Sequence, residues 1–201
     1  YTESVVRKLA TVTYNNGIYD EAAQAYRRMY DVVDSAEKRV EASVGYVNST
    51  LNLKDEEATM AMARDLDTLA DVDSTAMRRC RFATAKVYAS RGEKGLAREV
   101  YEQLAKDVSN VEGAESAYII IEMLFAEGNL DESEKRIYAL ADSQTPHTYW
   151  LGKAFILLGD IYVARNDAFQ ARATYRSVVD GYTPADDGIV AEAQAKLEKL
   201  N

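Results

Sequence analysis

The sequence predicts an all-α fold assembled as an array of repeated helix–turn–helix units, and three observations predict it. Ten Gly and two Pro in 201 residues are too few for the turns that many short strands need. Apolar residues recur at helical rather than alternating spacing along the chain. One pattern also returns five times: an apolar helix, a short turn often holding Gly, a small residue, then a large or aromatic residue one helical turn on. The chain reads NNGIYDEAAQAYRRM from residue 15, SRGEKGLAREVYEQL from 90, AEGNLDESEKRIYAL from 126 and ARNDAFQARATYRSV from 164. The small residues Ala22, Ala58, Ala97, Ser133 and Ala171 lie 36, 39, 36 and 38 positions apart, a regularity that marks a repeat architecture.

The elements follow in order. First helices are predicted over 3–15, 36–51, 75–91, 112–127 and 147–165, and second helices over 19–32, 55–69, 94–108, 130–142 and 168–180. The repeats therefore span 3–33, 36–69, 75–108, 112–143 and 147–181, within one solenoid covering residues 1–201. Acidic starts such as Asp55-Glu56-Glu57 complement the N-terminal end of a helix dipole. A last helix over 187–200 follows the stop at Thr183-Pro184 and the cap signal at Asp186-Asp187. It sets Ile189, Ala193, Leu197 and Leu200 on one side and Glu192, Lys196 and Lys199 on the other. A polar-faced closing helix is what a stacked array needs where it meets water.

These segments resemble the tetratricopeptide repeat, a helix–turn–helix unit of about 34 residues. The family's small residue falls on Ala22, Ala97, Ser133 and Ala171. Its large residue falls on Tyr26, Tyr101, Ile137 and Tyr175, and the next apolar place on Met29, Leu104, Leu140 and Val178. Phe155, Leu158, Gly159 and Tyr162 fill the first-helix places of the fifth unit, and Pro184 sits near where the family ends a repeat. The second unit departs: its turn has no Gly, and Ala58 fits only with one residue inserted. The resemblance implies about five repeats wound into a right-handed superhelix and closed by the last helix, with first helices lining a concave groove.

Charge narrows the partners. The chain carries 24 Lys and Arg against 33 Asp and Glu, a net of −9, which disfavours nucleic acid and anionic membrane surfaces. The balance is uneven: residues 1–100 hold 15 basic and 16 acidic residues, residues 101–201 hold 9 and 17. No apolar run reaches the roughly 18 residues a membrane span needs, so no direct membrane insertion is expected. One Cys and one His build neither a disulfide framework nor a metal or Cys-His catalytic site. Gly92-Glu-Lys-Gly95 lacks the ending of a phosphate loop. His147 reads as a capping or surface residue, and Cys80, among Arg78, Arg79 and Arg81, as a small helical residue. The chain is expected to be no enzyme and to need no cofactor.

The resemblance implies a protein or peptide ligand in the groove. The family's groove-facing places fall on Arg7, Thr11 and Tyr14, on Arg39, Ala42, Tyr46 and Ser49, on Arg79, Phe82 and Lys86, on Glu115, Tyr118, Glu122 and Phe125, and on Lys153, Ile156, Asp160 and Val163. The first three units read basic, the fourth acidic, with aromatic rings recurring. Loss of Arg79 or Tyr118 is expected to weaken the partner. The Lys/Asn clamp of the family's chaperone-tail binders is absent, since Thr11, Ser43 and Ala83 occupy its places. The alternative reading is a spacer or self-association segment, with Val5, Val6, Leu9 and Val12 offering an apolar face. The chain starts at Tyr1 without Met, so it is expected to be the C-terminal part of a longer bacterial chain, ending near Asn201. Likeness to long bacterial proteins of this family favours the periplasm or cell envelope over the cytoplasm.

Overall fold

The computed structural model describes residues 2–67 and 74–200. Among them the chain forms eleven helices and no strand: α1 (Glu3–Asn15), α2 (Tyr19–Val32), α3 (Ala36–Asn52), α4 (Glu56–Asp67), α5 (Ser74–Ser90), α6 (Lys94–Leu104), α7 (Val111–Ala126), α8 (Leu130–Asp142), α9 (Thr148–Ala164), α10 (Ala168–Gly181) and α11 (Ile189–Glu198). The expected end of the fourth helix, at 68–69, lies outside the described residues. Helix α6 stops at Leu104, short of the expected 108, because a capping turn intervenes. There Asn110 accepts the Gly113 N–H at 2.9 Å and donates to the Asp107 carbonyl at 2.8 Å. Gly113 is required at this crossing, since a Cβ on it would stand 1.9 Å from the Asp107 carbonyl oxygen.

Two compact units are formed, Tyr1–Val100 and Tyr101–Asn201, with the boundary inside α6. In the first, α1 to α5 pack in sequence and α3 also meets α5. Its core runs from Val6, Ala10, Tyr26 and Met29 to Val47, Met62, Leu66 and Cys80. In the second, α7 meets α8 and α9, and α9 meets α10 and α11. Ile121, Ile137, Leu157 and Ile161 fill the space between α7, α8 and α9, while Ile156, Tyr175 and Ile189 fill that between α9, α10 and α11.

Every pair turns the same way. A residue in the left-handed region stands at Gly17, Lys54, Gly92, Gly128 and Asn166, with φ of 74, 57, 75, 78 and 61°. The N–H of the following residue donates five residues back in each case, from Ile18 to Thr13, Asp55 to Thr50, Glu93 to Tyr88, Asn129 to Leu124 and Asp167 to Tyr162, at 2.8–2.9 Å. This is the Schellman closure, which satisfies carbonyls left open at a helix C-terminus. Glycine adopts that conformation without steric cost, and Asn tolerates it. Lys54 has neither advantage, which is why the second turn is invisible to a search for Gly.

Five residues beyond each turn comes a fully buried small residue: Ala22, Thr59, Ala97, Ser133 and Ala171. The sequence reading placed Ala58 here; Ala58 is half-buried and Thr59 takes the place, with no insertion. A hydroxyl is tolerated because it finds a partner. Thr59 Oγ1 reaches the Asp55 carbonyl at 2.8 Å and the Thr50 hydroxyl at 2.9 Å, and Ser133 donates to the Ile121 carbonyl at 3.1 Å. Four and seven residues further on, Tyr26, Ala63, Tyr101, Ile137 and Tyr175, then Met29, Leu66, Leu104, Leu140 and Val178, are all buried. The i, i+4, i+7 spacing keeps these three on one face of the helix. Glycine clears room for two of the rings: a Cβ on Gly45 would meet the Tyr26 ring at 2.3 Å, and one on Gly159 the Tyr175 ring at 2.2 Å.

Candidate functional site

The common register assigns equivalent places on the first helices. Ten residues before the left-handed turn residue stand Arg7, Val44, Phe82, Tyr118 and Ile156. Six before it stand Thr11, Asn48, Lys86, Glu122 and Asp160, and three before it Tyr14, Leu51, Ala89, Phe125 and Val163. The mapping read from sequence agrees with this register in four units and runs two residues early in the second. Arg39, Ala42, Tyr46 and Ser49 are replaced by Glu41, Val44, Asn48 and Leu51, because the turn at Lys54 that sets the register carries no Gly to mark it. Ala42 and Ser49 are buried. Arg39 Nε donates to the Val33 carbonyl at 3.1 Å, and Tyr46 packs half-buried against both cores of the first unit.

In the first unit the exposed Arg7 donates to Glu41 at 2.8 Å, and Lys38 pairs with Glu3 at 2.5 Å, so opposite charges link α1 to α3. Glu41 holds the Arg7 guanidinium above its ordinary range, chiefly through that hydrogen bond. Tyr14 is half-buried, edge-on to Tyr19 and Tyr26 at 5.5 and 6.5 Å. Burial raises its pKa, against the pull of the Asn52 side chain and of Arg79. Arg79 is exposed on α5. Phe82 is buried, with the Lys86 ammonium 4.4 Å from its ring centroid. That contact is a cation–π pair.

In the second unit the face of α7, α9 and α11 is an alternation of acids, amines and phenols. Tyr118 is 7% exposed and belongs to the core. Its ring stacks on Trp150 at 5.5 Å, which also meets Tyr149 at 5.0 Å, and its hydroxyl donates to Glu122 at 3.2 Å. Burial first, then Glu122, pushes the Tyr118 pKa far above the phenol range. Phe125 lies half-buried against the same core. Glu115 is half-buried and its charge adds to the burial that pushes Tyr101 up to about 12. Asp160 accepts the Tyr175 hydroxyl at 2.6 Å and the Lys196 ammonium at 2.7 Å. Lys153 grips Glu192 at 3.0 and 2.8 Å.

The burial of Phe82 and Tyr118 makes them packing residues, whereas Arg79, Glu122 and Arg7 are open to solvent. Trp150, Tyr175, Glu192 and Lys196 join the face without having been singled out for it. The last two had been read as the solvated side of a closing helix. Their signs, opposite to Lys153 and Asp160 on α9, were the available signal. His147 lies at the start of α9, its Nε2 3.2 Å from the Ser109 carbonyl, and Cys80 is buried. Among the described residues no group of His, Cys, Asp and Glu is placed to hold a metal, and no helix is long and apolar enough to cross a membrane.

No family model matches this chain, and no curated protein matches its sequence. Among solved structures it is similar to BtubC (BKLC) from P. vanneervenii, with a TM-score of 0.56 and 13% identity over 98% of this chain and 81% of that one. At that identity the likeness concerns the fold: an all-helical arrangement that a bacterial protein also adopts.

Proposed function

We propose that this chain is a tetratricopeptide-type repeat scaffold without catalytic activity, which holds a segment of a partner protein against the outward places of its first helices. The observation that carries the reading is the shared register. Five turns closed by the same hydrogen bond, each followed by a buried stripe at the same spacing, give every first helix equivalent positions relative to its own turn. Such repetition builds extended recognition surfaces rather than a single convergent pocket. Exposed charge beside half-buried rings, as at Glu122 with Phe125 and at Arg79 near Tyr14, is the composition that protein-binding surfaces favour.

The test is a pull-down from the source organism's lysate with the wild-type chain and the Arg79→Glu/Glu122→Lys double variant. Both residues are exposed, so the variant is expected to fold. A protein retained by the first and lost by the second supports the scaffold; identical retention overturns this face as the binding surface.

A second reading, a spacer or self-association segment, is favoured by one observation. Val5, Leu9 and Val12 stand about half exposed on one side of α1. Their equivalents in α9, namely Ala154, Leu158 and Ile161, are buried. A mass that rises with concentration in the wild type and not in Leu9→Asp would support it.

A further inference from the structure

Glu122 and Asp160 occupy the same place in successive first helices, yet only one has its charge answered. Asp160 is met by Lys196, 36 residues on, and by the Tyr175 hydroxyl. Thirty-six residues on from Glu122 stands Leu158, which is buried. Glu122 is exposed, and among the described residues its side chain accepts one hydrogen bond, from the Tyr118 hydroxyl. No cation of the described residues lies within ion-pair distance of it, since the neighbouring Lys153 and Lys196 are held by Glu192 and Asp160. The buried phenol orients the carboxylate and leaves acceptor capacity free. One turn further along, the half-buried Phe125 and the 43%-exposed Val163 occupy equivalent places. An apolar step thus adjoins an unpaired carboxylate, on a unit whose residues number 9 basic against 17 acidic.

We infer that the α7–α9 surface of the second unit takes a cationic amphipathic peptide segment, with a Lys or Arg side chain on Glu122 and the adjoining apolar side chain on Phe125 and Val163. The inference rests on the scaffold reading above and names the chemistry of its partner. Charge complementarity selects the occupant. An acidic segment would set like charge against Glu122, the carboxylate of this surface that no cation answers among the described residues, and like charges brought into contact are strongly disfavoured. A purely apolar segment would partly desolvate the Glu122 carboxylate without supplying a cation to answer its charge.

The experiment is fluorescence anisotropy with a labelled Gly-Leu-Lys-Phe-Lys-Gly peptide and its Gly-Leu-Glu-Phe-Glu-Gly counterpart, titrated with the full chain. The Lys peptide is expected to bind and the Glu peptide not. Glu122→Gln should weaken the Lys peptide about tenfold, as truncating a central charged contact does. Asp142→Asn, which removes an exposed acid from α8, should leave it unchanged. Equal losses from both variants would mean a diffuse attraction to a negative surface, and would overturn the site. Equal binding of the two peptides, lost in Val163→Asp, would overturn the cationic specificity while leaving the scaffold standing. Binding of neither would remove this surface from the scaffold reading as well.

Discussion

Helices α3 and α4 turn at Lys54, helices α9 and α10 at Asn166, and both turns close through the same hydrogen bond, Asp55 to Thr50 and Asp167 to Tyr162, at 2.9 and 2.8 Å. The fifth pair reaches this geometry with favourable residues throughout: Asn at the left-handed position, Ala171 as the small residue, Tyr175 as the large one. The second pair has Lys54, Thr59 and Ala63 in those places. It compensates locally, by tying the Thr59 hydroxyl to Asp55 and Thr50 and by burying Leu66 completely. What the two pairs share is the spacing of buried positions, not the residues. The register is therefore set by which face is dry and by the turn's hydrogen bonds, and residue identity adjusts the cost of meeting it.

The comparison is broken most forcefully at Leu66. With only Ala63 beside it, Leu66 provides most of the bulk of the second stripe, so Leu66→Ala should cost about 2–5 kcal/mol. Chemical denaturation followed by far-ultraviolet circular dichroism measures this. A loss below about 1 kcal/mol would mean that the site collapses onto other side chains.

Alkaline pH separates the two pairs next. Burial raises the pKa of Tyr101 to about 12 and that of Tyr175 higher, the latter also through its bond to Asp160. A group whose folded-state pKa is raised contributes stability that is fully present below its unfolded value of about 10 and is lost as pH climbs through the folded value. Tyr101 alone accounts for roughly 2–3 kcal/mol between about pH 10 and 12. Ala63 has nothing to ionise. Denaturation midpoints at about pH 9 and 11 should fall steeply in the wild type and less in Tyr175→Phe. Equal falls would show that the fifth-pair phenol is not coupled to folding.

Overpacking tests the favourable pair. Ala171 has no exposed surface, and Ala171→Trp should cost about 1–3 kcal/mol, read as a lowered melting temperature. The smallest effect has the opposite sign. Lys54→Gly relieves a side chain held at φ 57° and should raise stability by about 0.5 kcal/mol, the left-handed penalty less the added chain entropy of Gly. The matching change at Gly17, to Lys, should lower it. If both changes were neutral, the turn would be set by tertiary packing alone.

Helix existence was legible because it depends on local spacing: α2 and α8 run over the residues the periodicity predicts, 19–32 and 130–142. The small-residue stripe was legible wherever Ala or Ser followed a Gly or Asn turn. It failed at Thr59 because neither Lys54 nor a β-branched hydroxyl residue announces a turn or a close packing site. The same unseen turn put four groove positions of the second unit two residues early, Arg39 for Glu41 and Tyr46 for Asn48 among them. The candidate face was legible as residue types and not as exposures. Phe82, Tyr118 and Tyr14 are all aromatics at first-helix places, and their burial depends on what lies against them.

The sequence by itself determined the all-helical class, the number of helix pairs and the charge imbalance between residues 1–100 and 101–201, because periodicity, turn residues and formal charge are properties of neighbours along the chain. Only the tertiary structure decided which Glu or Asp finds a cation. Asp160 and Glu122 are alike in type and place, and they differ because Lys196 of α11 reaches Asp160 at 2.7 Å while Glu122 is met by the Tyr118 hydroxyl. It also decided that Tyr118 is a packing residue whose hydroxyl orients Glu122. The pairing of Asp160 joins residues 36 apart and the packing of Tyr118 on Trp150 joins residues 32 apart, and charge pairing and dehydration over such separations depend on distances in space that no local pattern encodes.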